Sequence, residues 1–168
     1  MTSPHSLLHR LPVALLFLAL ATTLGSTAVR AESGPDGMPG EKTFRIICQS
    51  CHLESLDLAA AGPDGDSALA APPMDWLSTA IRMRQNNDEA EFVGHVVSYL
   101  RLPGLERSLL PGDVIARHGV MPPISEYGPE LTYDDLTAVA SWIYGHYNYK
   151  KLLPQLQKHL QSRQGSSQ

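Results

Sequence analysis

Cysteine is scarce in this sequence: two residues among 168, at positions 48 and 51. With no second cysteine pair, a four-thiolate zinc site has no ligands. A disulfide across two intervening residues is short and strained, which makes it a poor structural staple. Charged residues make up only 18% of the chain, so long charged disordered tracts are not expected. Strand-like alternation is almost absent. A thioredoxin-like dithiol, which belongs in a βαβ pattern, therefore lacks its framework. After residue 21 no segment approaches the roughly 20 apolar residues of a membrane-spanning helix. The length suggests one domain plus ends.

The N-terminus has a different character. His9 and Arg10 precede the apolar run from Leu11 to Ala21, and small residues follow as far as Val29-Arg30-Ala31. This is the three-part pattern of a cleavable secretory signal. Cleavage is expected after Ala31, with Ala28 as the second choice. An uncleaved anchor is the competing reading, but the run is short for a span. Residues 1–31 contain no cysteine, so lipid modification of a new N-terminal cysteine is not expected. Removal of this segment takes away Arg10 and Arg30 and no acidic residue, so the formal charge moves from -4 to about -6. An acidic exported chain is a poor candidate for nucleic-acid binding.

Both cysteines fall in one pentapeptide, Cys48-Gln49-Ser50-Cys51-His52. C-x-x-C-H is the attachment sequence of c-type haem. Two intervening residues let a single helical turn present both thiols to the two vinyl groups on one porphyrin edge, where each forms a thioether. The adjacent histidine then falls beneath the iron as its proximal ligand. A neutral imidazole serves iron in either oxidation state.

The flanking pattern is helical. Gly40, Phe44 and Cys48 recur every four residues and share one face. Pro39-Gly40 marks the start, and Glu41 suits a first turn. Near the other end, Thr132 and Asp135 form a capping-box pair ahead of Leu136, Val139, Ala140 and Ile143, with Trp142 on the same helix and Gly145 as a candidate terminator. The run Gly40-x-x-x-Phe44-x-x-x-Cys48-x-x-Cys51-His52 resembles the N-terminal helix of class I c-type cytochromes. In that family the glycine lets the C-terminal helix approach closely and the aromatic packs across the contact. The resemblance implies an all-α fold around one covalent haem c. It also implies a distal methionine from a loop just before the last helix, which here is Met121 in Gly119-Val120-Met121-Pro122-Pro123. It further implies that a proline after the proximal loop offers its carbonyl to the proximal imidazole. Pro63 is assigned that role, although a plain turn also explains Gly62-Pro63-Asp64-Gly65. Iron is thus expected between His52 and Met121. Met74, Met83, His95 and His118 are the rivals, His118 the strongest because it lies three residues before Met121.

Between these regions, helices are predicted from Pro73 to about Arg84, from Asp88 to Leu102 and over Pro111 to His118, with a loop from Asp64 to Ala70. This stretch is similar to a bacterial monohaem subgroup carrying Ala-Pro-Pro-Met, here Ala71-Pro72-Pro73-Met74. The motif carries no functional assignment. Trp76, Tyr99 and Tyr127 are candidate donors to a haem carboxylate. Residues 150–168 read as a tail. It is either a short amphipathic helix, interrupted near Pro154, that docks on the core or on a partner, or a frayed end, with Gln161 to Gln168 expected to be disordered. The expected domains are therefore a signal at 1–31, a haem domain at 32–149 and the tail. The implied function is periplasmic one-electron transfer between redox partner proteins, not an enzyme activity. A haem-based small-molecule sensor and a dedicated subunit of a periplasmic oxidoreductase are the alternatives.

Overall fold

The computed structural model describes residues 39–62, 65–127 and 130–166. Regular structure among them is entirely helical, in agreement with the all-α expectation. The helices are α1 (Gly40–Ile47), α2 (Leu58–Ala61), α3 (Met74–Arg84), α4 (Glu89–Arg101), α5 (Gly112–His118), α6 (Tyr133–His146) and α7 (Tyr149–Ser166). Single 3-10 turns occupy Cys48–Ser50, Leu105–Arg107 and Ile124–Glu126. No described helix is long and apolar enough to cross a membrane. The signal segment lies outside the described residues.

Helix α6 begins where its cap predicts. The Thr132 hydroxyl accepts from the Asp135 amide at 3.1 Å, and Asp135 Oδ2 accepts from the Thr132 amide at 2.9 Å. Such a cap contributes about 1 kcal/mol by pairing amides that have no partner within the helix. The helix runs past Gly145 to His146, one residue beyond the expected terminator. It crosses α1 at Gly40, and the Phe44 and Trp142 rings meet with centroids 4.6 Å apart. Helix α4 packs on the same helix, with Phe92 5.4 Å from Tyr144. Phe44, Phe92, Val97, Leu136, Val139 and Ile143 form the centre of this main core.

Arg82 joins α3 to the end of α6. Its Nη1 donates to the carbonyls of Tyr144 and Tyr147, each at 2.9 Å, and Nε donates to Asn87 Oδ1. The guanidinium also lies 4.1 Å from the Tyr144 ring centre. A cation at a helix C-terminus pairs carbonyls left without partners and opposes the negative end of the helix dipole.

The tail takes the helical, core-docked alternative but is longer than expected and is not interrupted at Pro154. Helix α7 runs through Pro154 without a break and is described as far as Ser166. A proline inside a helix costs about 3 kcal/mol, and here packing offsets it. Leu156 is 1% exposed and joins Trp76, Ala80 and Val114 in a second core, and His159 meets Trp76 edge-on. Burial of one leucine alone contributes about 1.5–3 kcal/mol. The last turns are held by Arg163, which pairs with Asp113. The tail is therefore a docked helix, and the disorder expected from Gln161 onward is not seen through Ser166. Helix α2, a single turn, was also absent from the sequence expectation.

Candidate functional site

The pentapeptide continues the last turn of α1. The Cys48 carbonyl accepts from the amides of Cys51 at 3.2 Å and His52 at 2.9 Å, and Ser50 Oγ donates to the Ile47 carbonyl at 2.6 Å. Cys48, Cys51 and His52 are thereby carried by one tight turn. Both thiols are free; Cys48 is half-buried and Cys51 exposed. Burial, reinforced by the neighbouring Cys51, pushes the Cys48 thiol up to about 12. All three residues line a cavity of about 230 Å³.

His52 is 9% exposed, and its Nδ1 lies 2.7 Å from the Pro72 carbonyl oxygen. A carbonyl only accepts, so Nδ1 carries the proton and Nε2 keeps its lone pair. Burial lowers the imidazole's pKa, the Pro72 carbonyl partly opposes this, and His118 nearby lowers it further. The ring is held neutral, the state in which it binds a metal.

This contact assigns a role to the Ala71-Pro72-Pro73-Met74 motif. Neither proline has an amide hydrogen to donate, and their fixed φ stiffens the segment. The next two residues pin it: the Met74 amide donates to Leu53 O at 2.8 Å and the Asp75 amide to Glu54 O at 3.1 Å. The segment therefore runs alongside 52–54. Pro63, given the carbonyl role by family resemblance, lies outside the described residues. Among the described residues, the acceptor for the Nδ1 proton of His52 is the Pro72 carbonyl.

Met121 also lines the cavity, partly buried against the main core. Helix α5 ends at Gly119, whose φ of +74° turns the chain into the Met121 loop. Such a φ strains any residue with a Cβ. Tyr99 on α4 is the loop's contact. Burial raises its phenol's pKa, and the Met121 backbone amide pulls it partly back. Pro122 and Pro123 follow, as the sequence expectation had them.

Three of the four rival ligands share this cavity. Met74 is buried in its wall, and His95 is half-buried and stacked on Tyr99. The His118 side chain is 4% exposed, with Nε2 3.6 Å from Asp66 Oδ2 and no hydrogen bond at either ring nitrogen. Met83 does not line it. Of the three carboxylate-donor candidates, Trp76 faces α7, while Tyr99 and Tyr127 both line the cavity, Tyr99 against the Met121 loop and Tyr127 exposed. Ser78 on α3, which the sequence reading passed over, also lines the cavity, with its hydroxyl buried and unpaired.

The donor set fits a haem. The wall is largely apolar, two thiols stand beside a neutral imidazole with a free Nε2, and a thioether reaches the same space. Among the described residues no group of three or more His, Cys, Asp or Glu is arranged to hold a metal ion by itself. Comparison of the chain with family models, with curated proteins and with solved structures finds no match in any of the three.

Proposed function

We propose that this protein is an exported one-electron carrier of the class I c-type cytochrome kind. It holds one haem c covalently through Cys48 and Cys51, with His52 and Met121 as axial ligands. The observation that carries the reading is the buried His52, its Nδ1 bonded to Pro72 and its Nε2 free, in a cavity shared with both thiols and Met121.

When bound, the haem supplies an iron that cycles between two oxidation states. The chain's part is to fix it and tune it. Cys48 and Cys51 anchor the ring, and the Pro72 carbonyl orients His52 and raises its basicity as a ligand. Met121 offers a soft sulfur that favours iron(II) and so raises the potential. Two protein ligands leave no coordination position for a substrate, which argues against an enzyme. The apolar wall excludes water. The partners are periplasmic redox proteins meeting the exposed haem edge near Cys51. The same proposal has the mature protein begin at Glu32, or at Val29, which N-terminal sequencing of periplasmic material tests.

Expression in a strain competent for cytochrome c maturation tests attachment. Haem is expected to survive acid-acetone extraction, stay with the denatured chain and vanish in the Cys48→Ala, Cys51→Ala double variant. Extractable haem, or none, overturns the reading.

One observation favours a second reading. His118 is buried beside the cavity with both ring nitrogens unpaired and a carboxylate near Nε2, an arrangement common for iron-binding and zinc-binding imidazoles. With His118 in place of Met121 the protein is a low-potential carrier with a two-imidazole spectrum.

A further inference from the structure

We infer that the cavity wall formed by α3 and α5 receives the carboxylate side chains of the cofactor, bonded by Ser78 and His118. This rests on the haem reading above, with Met121 as the sixth ligand.

A haem is an apolar ring carrying two carboxylates, so a cavity built for it is apolar except where those carboxylates lie. Met74, Leu77, Ser78 and Ile81 all line the cavity at the spacing of one face of α3. Three are apolar, and packing alone gives no reason for the hydroxyl. Ser78 is 1% exposed and its Oγ has no hydrogen-bond partner. Val114 and His118, four residues apart on α5, line the same cavity, and His118 is buried with both ring nitrogens unpaired. Leaving a buried polar group without a partner is costly, so such groups mark places where a partner belongs. Ser78 and His118 are the lining residues with such atoms among the described residues. Two such groups lining one cavity indicate a ligand that pairs them.

The surrounding charges balance, so an anionic ligand meets no net negative charge there. Asp66, 1% exposed, lies 3.6 Å from His118 Nε2. The same carboxylate lies 3.8 Å from Arg117 Nη2 and 3.9 Å from Arg163 Nη1, and both arginines also pair with Asp113. Two guanidiniums oppose a metal cation here and offset the two carboxylates already present. With Nε2 turned to Asp66, Nδ1 is the atom left for the cavity. His118 Nδ1–H donates to the arriving carboxylate from α5, and Ser78 Oγ donates to a carboxylate from α3.

Donors to these carboxylates draw negative charge away from the iron, and their loss favours iron(III). The test uses purified holoprotein with Ser78→Ala, His118→Leu and His118→Gln. Three signals are read: the midpoint potential, the carboxylate-bending mode in resonance Raman, and the sulfur-to-iron(III) charge-transfer band. The expected result is covalent haem and an intact band in every variant, with a shifted bending mode and a lower potential. Unchanged potential and bending mode in Ser78→Ala and the His118 variants overturn the inference and point to buried water as the partner. Loss of a two-imidazole spectrum in the His118 variants overturns it in favour of His118 as iron ligand. If His118→Leu does not fold, Ser78→Ala, which removes one atom, still decides between shift and no shift. Wild type without covalent haem removes the function reading itself, and this is seen before any variant is made.

Discussion

The Nδ1 of His52 and the carbonyl oxygen of Pro72 lie 2.7 Å apart although twenty residues separate them in the chain. The contact joins the end of α1 to the start of α3 and fixes which nitrogen of His52 faces the cavity. Pro72→Ala keeps the carbonyl and frees its φ. The unfolded chain gains freedom, and a loss of about 1 kcal/mol is expected, with haem still attached. Urea denaturation of the holoprotein measures this, and an unchanged midpoint means the proline does not stiffen the segment.

Two glycines are expected to respond with opposite signs. A Cβ on Gly40 would stand 2.7 Å from the Ala138 carbonyl carbon and 2.8 Å from Trp142 Cβ. Backbone cannot yield as a flexible side chain does, so Gly40→Leu is expected to cost about 1–3 kcal/mol or more. Gly94, inside α4, has nothing within 4 Å of its added Cβ. Gly94→Ala removes the entropic penalty of glycine in a helix and is expected to stabilise by about 0.5–1 kcal/mol. Equal thermal shifts for the two variants would show that α1 and α6 do not cross at Gly40.

Stability is expected to fall on both sides of neutral pH. Burial lowers the pKa of His95. Below about 6.5 the unfolded chain takes up protons that the folded chain refuses, so stability falls with pH, by up to about 1.4 kcal/mol per pH unit for each such proton. Burial raises Tyr99 and Tyr147. Above pH 10 the unfolded chain releases protons that the folded chain keeps, and stability falls again. Asp75, raised by burial, acts in the opposite sense to His95 and only upward from its ordinary value of 3.8. Denaturation midpoints across pH check the shape, and His95→Gln is expected to weaken the acid limb. An acid limb that is identical in that variant would remove His95 from the account.

Features written in neighbouring residues were legible in the sequence. Thr132 and Asp135 announce the start of α6 because a capping box is local chemistry, and Gly40, Phe44 and Cys48 reveal a face because helical spacing is local too. Pro72 was not legible in its role, since its carbonyl finds His52 through the path of the intervening chain, and family spacing pointed to Pro63. Pro154 reads as a helix breaker until Leu156 is seen buried against Trp76. Ser78 looks like a solvent-facing residue, because nothing in its neighbours says that both faces of α3 are covered, one by the cavity and the other by α7.

Met121 and Met74 both line the cavity, so burial alone does not separate them as the sixth ligand. Connectivity does. Met74 is two residues from Pro72, which bonds His52, and its own amide is tied to Leu53. Its segment is therefore anchored beside His52, whereas under the proposed function the second iron ligand would come from a part of the chain not tied to His52. Met121 arrives from a different part of the chain, after the turn at Gly119, with Tyr99 against its amide. Met121→Ala is expected to lower the midpoint potential, abolish the sulfur-to-iron(III) charge-transfer band and let carbon monoxide bind the ferrous iron. Met74→Ala is expected to keep the band and to lose about 2–5 kcal/mol of stability through the cavity left in the core. A band that survives Met121→Ala and disappears in Met74→Ala reverses the assignment. A wild-type protein with no such band and a two-imidazole spectrum moves the sixth position to His118.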